Sequence, residues 1–180
     1  MNDFQTGLAQ TVEQVPDEFH NEERYVPGQG PSDAEVMLVG EAPGATEVSE
    51  SAPFVGQAGR KLDSALNDIG IDRSGLYLTN VVKVRPPDNK TPTKDEIDAW
   101  MPVLEVEIDH VNPAIIVPLG TTASQAVLST QEGITEVRGR EFDREDRTVV
   151  PTFHPAAMFY DDSKQVDFEA DLEKALAETG

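Results

Sequence analysis

The chain has 180 residues, of which 38% are hydrophobic, and this length suits one domain with a proper core. Its 14 Lys and Arg against 34 Asp and Glu give a formal net charge of −20, which repels other anions and usually argues against nucleic acid as a partner. The absence of cysteine excludes disulfides, thiol catalysis and thiolate-held metal clusters. The sequence also lacks an apolar run long enough to span a membrane, so we expect a soluble, cytoplasmic protein.

The beginning of the chain differs in pattern from the rest. Residues 1–33 are polar and broken by proline and glycine, which predicts an N-terminal extension, with a short helix or loop and a turn, packed on a domain at residues 34–180. Short apolar runs rich in β-branched side chains then predict buried strands. These runs are E-V-M-L-V-G, L-Y-L-T-N-V-V, P-A-I-I-V-P-L-G and R-T-V-V-P.

Helical patterns separate the predicted strands. Residues 62–69 repeat apolar side chains at helical spacing and are followed by Gly70, a typical C-terminal cap. Thr93 and Glu96 form a capping box before another apolar stripe, and residues 122–128 and 168–176 predict two further helices. The alternation predicts an α/β fold, a three-layer α/β/α sandwich around a central, mostly parallel four-stranded sheet.

Polar and aromatic residues follow the predicted strands, where open α/β sheets bind their ligands. Glu41 follows the first strand, Phe54 lies between turn residues, Asn80 ends the second strand and His154 lies just past the fourth. Taken singly, each has an ordinary structural explanation: a solvated acid, a loop plug, a bulge asparagine and a structural histidine. Together they predict one pocket at the carboxyl edge of the sheet.

The residue types in this predicted pocket suit a flat heterocycle. The amide of Asn80 offers an acceptor and donors in one plane, which complements a pyrimidine edge carrying a carbonyl and an N–H. Phe54 is either a loop plug or a platform on which a flat ring stacks. The glycine-rich loop after the first strand lacks the lysine of a phosphate-binding loop, and its carboxylates would repel phosphate.

A set of motifs resembles family 4 of the uracil-DNA glycosylase superfamily. The motifs run in order from about Val26 to Phe159, and they are G-E-A-P-G, P-F-V-G-Q-A-G-R-K-L-D, T-N-V-V-K-V-R-P-P-D-N-K-T-P, I-I-V-P-L-G and P-T-F-H-P-A-A-M. The resemblance implies a uracil-DNA glycosylase-like fold. It also implies a monofunctional, monomeric enzyme that acts on uracil in single- or double-stranded DNA. Its reaction would hydrolyse the N-glycosidic bond of deoxyuridine, release uracil and leave an abasic site.

The resemblance also implies roles for the residues of the pocket. Phe54 would stack on a flipped-out uracil, Asn80 would read its N3–H and O4, and His154 would donate to O2. Glu41 would orient or deprotonate the attacking water, or stabilise the cationic sugar. Other branches of the superfamily carry a water-activating Asp at the next position, which is Ala42 here. The implied uracil-binding set is Glu41, Ala42, Glu47, Phe54, Asn80 and His154, with Glu47 near the C5 edge or the entry loop.

Contacts to DNA are implied outside the pocket. Met158, four residues after His154, matches the apolar wedge that fills the gap left by a flipped nucleotide. Tyr160 stands where the family usually has an arginine. The candidate phosphate contacts are Arg60, Lys61, Lys83 and Arg85.

The chain departs from the family at the cysteines that usually hold an iron–sulfur cluster. Their positions are Glu13, Pro16, Val84 and Trp100, so we expect no cofactor and a space filled by side chains. Two functions stay open: an active glycosylase, or a catalytically inactive uracil- or DNA-binding paralogue. Covalent capture of the abasic sugar would need a basic insertion with a nucleophilic histidine, which does not occur between Phe54 and Asn80. The scattered carboxylates predict an acidic surface adapted to salt.

Overall fold

Helices and strands alternate through most of the computed structural model, which describes residues 2–177. The strands are β1 (Val36–Gly40), β2 (Tyr77–Asn80), β3 (Ile115–Pro118), β4 (Phe142–Arg144) and β5 (Arg147–Val149). The α-helices are α1 (Asp3–Glu13), α2 (Ala45–Glu50), α3 (Gln57–Asp68), α4 (Lys94–Val111), α5 (Thr121–Leu128), α6 (Ile134–Val137) and α7 (Ser163–Ala177). Short 3-10 turns lie at Asp17–Phe19, Glu22–Arg24, Arg73–Gly75, Pro87–Asn89 and Pro155–Phe159.

The sheet has five strands in the order β2-β1-β3-β5-β4, so the prediction of four strands was wrong by one. The pairs β2-β1, β1-β3 and β3-β5 are parallel, whereas β4 is antiparallel to β5. The missed strand β4 has only three residues and lies at the sheet edge, joined to β5 by Glu145 and Asp146, both at positive φ. A segment this short has no alternation long enough to be recognised as a strand.

Helices cover both faces of the sheet, which confirms the predicted three-layer α/β/α architecture. Met37 and Val39 of β1 point into a core that also contains side chains of α4 and α5, and α1 packs on α4 in the same layer. Val36 and Leu38 point to the opposite face, where they pack with side chains of α3 and α7. Alternate residues of one buried strand therefore supply two separate cores.

Local signals placed the start of α4 and the end of α3, whereas α3 and α7 begin at Gln57 and Ser163, five residues before their predicted starts. The side chain of Thr93 accepts a hydrogen bond from the Glu96 backbone N–H over 3.2 Å and caps α4. Gly70 follows α3 with φ of +76°, a conformation that favours glycine. Near the N-terminus, the backbone of Gln29 pairs with that of Leu78 in both directions. Within residues 2–177 no helix combines the length and apolar character needed to cross a bilayer.

Candidate active site

A pocket opens at the carboxyl edge of the sheet, where the parallel strands end side by side. Gly40, the last residue of β1, pairs in register with Asn80, the last residue of β2. Glu41 follows Gly40 directly, and His154 lies beyond β5 against Gly120, which follows β3. The topology thus brings together residues that are far apart in the sequence. The cavity has a volume of about 200 Å³ and is lined by Glu41, Leu119, Gly120, Thr121, Thr122 and His154.

Gly40 leaves the space in which an aromatic ring and an amide meet. A Cβ atom at this position would lie 2.5 Å from Cζ of Phe54 and 2.5 Å from Oδ1 of Asn80. Phe54 is only 6% exposed, and its φ of +53° is unusual for a residue with a side chain. Any residue larger than glycine at position 40 would therefore displace one or both groups. Phe54 and Asn80 converge as the sequence predicted.

Arg73 holds the strained Phe54 loop from behind. Its Nη1 donates to the Phe54 carbonyl over 2.6 Å, and its Nη2 donates to the Pro53 carbonyl over 2.7 Å. Asp63 of α3 fixes the same guanidinium at 2.9 Å. These bonds offset the cost of the left-handed backbone at Phe54. Sequence reasoning missed Arg73, because its acceptors are backbone carbonyls that only the tertiary structure brings near.

Glu47 joins the two loops that frame the pocket. Its Oε1 accepts from the Gly44 N–H at 3.0 Å, while its Oε2 accepts from the N–H groups of Val55 and Gly56 at 3.0 and 2.7 Å. Both oxygens are therefore engaged with backbone donors. Glu47 therefore connects the segment after β1 to the segment before α3, and its predicted position near the C5 edge or the entry loop stays a prediction.

The surroundings of His154 fix its tautomer. Its Nδ1 accepts a hydrogen bond from the Ala156 N–H over 3.1 Å, so in the neutral ring the proton is on Nε2. Burial lowers the pKa of His154 below its usual value of 6.5, and the nearby Glu41 and Glu47 oppose this effect. Because the hydrogen bond to Nδ1 requires an unprotonated nitrogen, we assign a neutral ring at pH 7. His154 is then a neutral donor through Nε2–H.

Asn80 and Glu41 keep polar atoms available. Asn80 is 4% exposed, and within residues 2–177 its side-chain amide makes no hydrogen bond. The Glu41 carboxylate is partly buried at the cavity and likewise has no hydrogen-bond partner among the described residues. Ala42 follows on the same loop, partly buried against the core. Glu41 and His154 thus line one small cavity, and the Asn80 amide lies at the same sheet edge, beside Gly40 and the Phe54 ring.

Two predicted DNA contacts are corrected by the structure. Lys83 is 1% exposed and forms an ion pair with Glu107, so it cannot reach a phosphate. Met158 is also 1% exposed and packs in the core with side chains of α3 and α7, so it is no exposed wedge in this structure. The pattern misled because a strand-end lysine and a methionine beside an extended histidine segment resemble surface residues when burial is unknown.

A different surface beside the pocket combines aromatic and basic groups. Phe159 and Tyr160 are 39% and 92% exposed, and Arg60 is exposed on α3 next to them. We call this the aromatic–basic cleft. It is lined by Gln57, Arg60, Lys61, Ser64, Phe159 and Tyr160. Arg85 lies elsewhere and is partly buried, with its backbone N–H bonded to the Arg24 carbonyl.

The positions of the family's cluster ligands do not fit an iron–sulfur group. Glu13 and Pro16 are exposed, while Val84 and Trp100 are buried. Trp100 is fully buried, stacks on Tyr25 at 6.0 Å and donates from Nε1 to the Phe19 carbonyl at 3.0 Å. Across residues 2–177, no group of three or more His, Asp or Glu side chains is arranged to hold a metal ion. Side-chain packing occupies this region.

Comparisons with known proteins identify relatives of the chain. A family model described as "Uracil DNA glycosylase superfamily" matches residues 27–179. A type-4 uracil-DNA glycosylase of Sulfurisphaera tokodaii is 42% identical over 158 residues, covering 83% of this chain and 72% of the relative. One of Thermotoga maritima is 41% identical over 159 residues, covering 86% and 83%. A type-5 uracil-DNA glycosylase of Pyrobaculum aerophilum is 30% identical over 152 residues, covering 75% and 67%.

Proposed function

Because the chain belongs to the uracil DNA glycosylase superfamily, we propose that it is a monofunctional glycosylase that hydrolyses the N-glycosidic bond of deoxyuridine in DNA. The products are free uracil and an abasic site. The observation that carries the proposal is the convergence of the unpaired Asn80 amide, the Phe54 ring and the neutral His154 at one sheet edge. A protein that only kept the fold would have no physical need to retain all of these groups together.

Base recognition follows from the chemistry of the pocket. Uracil flipped out of the DNA stack would lie on the Phe54 ring, where a flat heterocycle gains contact with an aromatic face. The Asn80 amide would accept from N3–H and donate to O4. Cytosine presents an unprotonated N3 and an amino group at the same edge, so both hydrogen bonds would be lost and buried polar groups would be left unpaired.

Bond cleavage requires stabilisation of the departing base. As the C1′–N1 bond breaks, its electron pair moves onto uracil and charge builds on O2, where the His154 Nε2–H would donate. A neutral imidazole can donate this hydrogen bond through Nε2–H while its Nδ1 still accepts from the Ala156 N–H. The deoxyribose becomes cationic, and Glu41 would stabilise it and orient a water molecule towards C1′. The water molecule adds its hydroxyl group to C1′, and its remaining proton goes to the departing uracil anion.

The DNA strand would run across the aromatic–basic cleft next to the pocket. Arg60 and Lys61 offer positive charge to phosphates on a molecule whose net charge is −20. The exposed rings of Phe159 and Tyr160 offer stacking surfaces for bases beside the flipped nucleotide. Stacking depends little on ionic strength, so it suits an acidic DNA-binding protein better than further cations alone.

The proposed function predicts uracil-specific strand scission after alkali treatment. An oligonucleotide with one deoxyuridine should become alkali-labile after incubation with the protein, whereas matched thymidine and deoxycytidine oligonucleotides should not. Asn80→Asp should lower uracil excision by about 10- to 100-fold, because a carboxylate cannot donate to O4 and leaves that acceptor unpaired. The effect is measured from the excision kinetics of the deoxyuridine and deoxycytidine oligonucleotides.

The same assay separates the two functions that the sequence left open. A parent protein that binds uracil-containing DNA but yields no alkali-labile site would identify an inactive paralogue. Asn80→Asp with the excision rate and base preference of the parent would contradict the assignment of Asn80. Arg140→Ala is a suitable control, because this exposed side chain lies on the segment after α6 and does not line the pocket.

A second prediction concerns salt. The Debye length falls from about 10 Å at 0.1 M to about 3 Å at 1 M, so repulsion among carboxylates and between them and DNA weakens as salt is added. We therefore expect Tm to rise with KCl and excision to persist in molar KCl. Because few cations lie near the cleft, DNA binding should release few counterions, and the affinity for DNA should therefore fall little as salt is added. Titration of both quantities with KCl provides the test, and activity that collapses near 0.2 M without a gain in Tm would contradict salt adaptation.

A further inference from the structure

A buried ion pair lies directly beneath the proposed base-reading residue. Nζ of Lys83 lies 2.5 Å from Oε1 of Glu107, and the two side chains are 1% and 0% exposed. Lys83 is three residues after Asn80, while Glu107 comes from the second half of α4. The pair therefore connects the helical layer to the end of β2.

Every donor of the Lys83 ammonium group has an acceptor. In addition to Glu107, Nζ donates to Oγ1 of Thr79 over 2.7 Å and to the backbone carbonyl of Asn80. A charged ammonium group has three N–H donors, so the three acceptors use all of them. Burial lowers the pKa of Lys83, and the attraction of Glu107 opposes this effect. The geometry is that of a charged group held in one position.

Glu107 is itself fixed by two hydroxyl groups of β2. The Tyr77 hydroxyl donates to Oε2 over 2.7 Å, and the Thr79 hydroxyl lies 2.9 Å from the same oxygen. Gly28 covers this network from outside: a Cβ atom there would lie 2.2 Å from Oε2 of Glu107. A side chain at position 28 would therefore displace the Glu107 carboxylate.

Stability alone does not explain such a network. Desolvation of two charges usually costs as much as their attraction returns, so apolar residues of similar volume serve a core equally well or better. The Lys83–Glu107 network differs from an ordinary core contact in the position of the third acceptor of the Lys83 ammonium group. That acceptor is the carbonyl of Asn80, whose own side chain lies beside Gly40 and the Phe54 ring and has no hydrogen bond within residues 2–177.

We propose that Lys83, held by Glu107, is a positioning residue that fixes the Asn80 peptide and thereby aims its side-chain amide at the base. The inference rests on the proposed function. It makes uracil selection dependent on an ion pair that contacts neither base nor DNA. A free amide at a strand end could otherwise rotate, and each alternative orientation would reduce the fraction of protein able to bind uracil.

The decisive variant removes both charges at once. Lys83→Met alone leaves the Glu107 charge buried and should destabilise the fold strongly, so it cannot separate positioning from stability. Lys83→Met/Glu107→Gln removes the unpaired charge as well and keeps a side-chain oxygen that can accept from the Tyr77 hydroxyl, so its resistance to urea should return close to that of the parent. Its kcat/KM for uracil excision should still be lower by about 10- to 100-fold, the scale of one lost charge-assisted hydrogen bond. The ratio of uracil to cytosine excision should fall as well.

A spectroscopic measurement makes the test independent of excision. The Asn80 side-chain NH₂ signals can be assigned in a ¹H–¹⁵N spectrum by their absence in Asn80→Asp. They should form one sharp pair in the parent and become broad or multiple in the double variant. If the parent excises no uracil, the proposed function fails, and this spectrum still decides the positioning role. Parent-like spectra and parent-like base selection in a folded double variant would overturn it.

Two further variants complete the design. Arg144→Met/Glu105→Leu removes another partly buried ion pair, between β4 and α4, and should leave base selection and the Asn80 signals unchanged. Gly28→Ala is used if the double variant does not fold, because it disturbs Glu107 without removing a charge. It should also lower the uracil to cytosine ratio and broaden the Asn80 signals. A folded Gly28→Ala protein with both properties at parent level would overturn the proposal.

Discussion

Replacement of His154 by alanine is expected to lower the rate of uracil excision by about 100-fold or more, the scale of losing one preorganised donor to developing negative charge. The reason is geometric. The Ala156 N–H occupies Nδ1, which leaves Nε2–H as the donor, and His154 lines the cavity at the sheet edge. Because the donor acts mainly as charge builds on the base, kcat should fall more than KM rises. Single-turnover excision kinetics measure the effect.

A matched control separates this loss from general damage. His110 is exposed near the end of α4, where it stacks on Phe4, so His110→Ala should retain parent activity. An excision rate within a few-fold of the parent in His154→Ala would contradict the assignment of His154 as the donor. The neutral state can be checked separately by stability. Because burial lowers the folded-state pKa of His154, its contribution to stability is complete above about pH 6.5 and is lost as the pH falls through the folded pKa.

Replacement of Trp100 by alanine is expected to destabilise the fold by about 3–5 kcal/mol, as for other fully buried large-to-small changes. Trp100 is 0% exposed and contacts Tyr25 and His20 in a cluster of rings. Its indole N–H also ties α4 to the Phe19 carbonyl. Truncation would leave both a cavity and an unpaired carbonyl. Such a loss is a large share of the 5–15 kcal/mol that stabilises a typical domain.

Urea denaturation followed by circular dichroism measures the change. Tryptophan fluorescence is unsuitable, because Trp100 is the single tryptophan of the chain. Trp100→Phe keeps most of the ring volume but loses the hydrogen bond, so it should cost about 1–3 kcal/mol. Val166→Ala, at an exposed apolar position on α7, should stay within about 0.5 kcal/mol of the parent. A Trp100→Ala protein as stable as the parent would show that ring packing does not replace the family's cluster.

An aromatic cluster lies around Trp100, one of the positions at which the family resemblance implies a cysteine. Burial raises the pKa of Tyr25 to about 12, with Glu107 and Glu22 adding to the effect, so Tyr25 stays neutral in this cluster. The same α4 helix then carries Trp100 towards the cluster and Glu107 towards β2.

The sequence by itself determined the layers of the fold and the main contents of the pocket. The apolar run of β1, the Thr93 cap and Gly70 are signals within a few neighbouring residues, so they can be recognised without tertiary information. Glu41 and Asn80 could be placed together because parallel strands present their carboxyl ends at one edge. The family motifs then indicated the superfamily that the comparisons show, and the roles of these two residues stay predictions.

Only the tertiary structure decided which charged and apolar groups are buried. Lys83 was predicted on the surface but lies beneath Asn80, because its partner Glu107 comes from a helix 24 residues further along the chain. Met158 was predicted as a wedge but packs in the core, whereas the side chain of Tyr160, two residues later, is exposed. β4 was missed because three residues are too few to show strand alternation, although its partner β5 begins only three residues after β4 ends. Arg73 and the buried side chains named above escaped prediction for another reason. Their conformations depend on partners distant in sequence, and the free energy of a buried charge or a backbone contact depends on those partners rather than on local pattern.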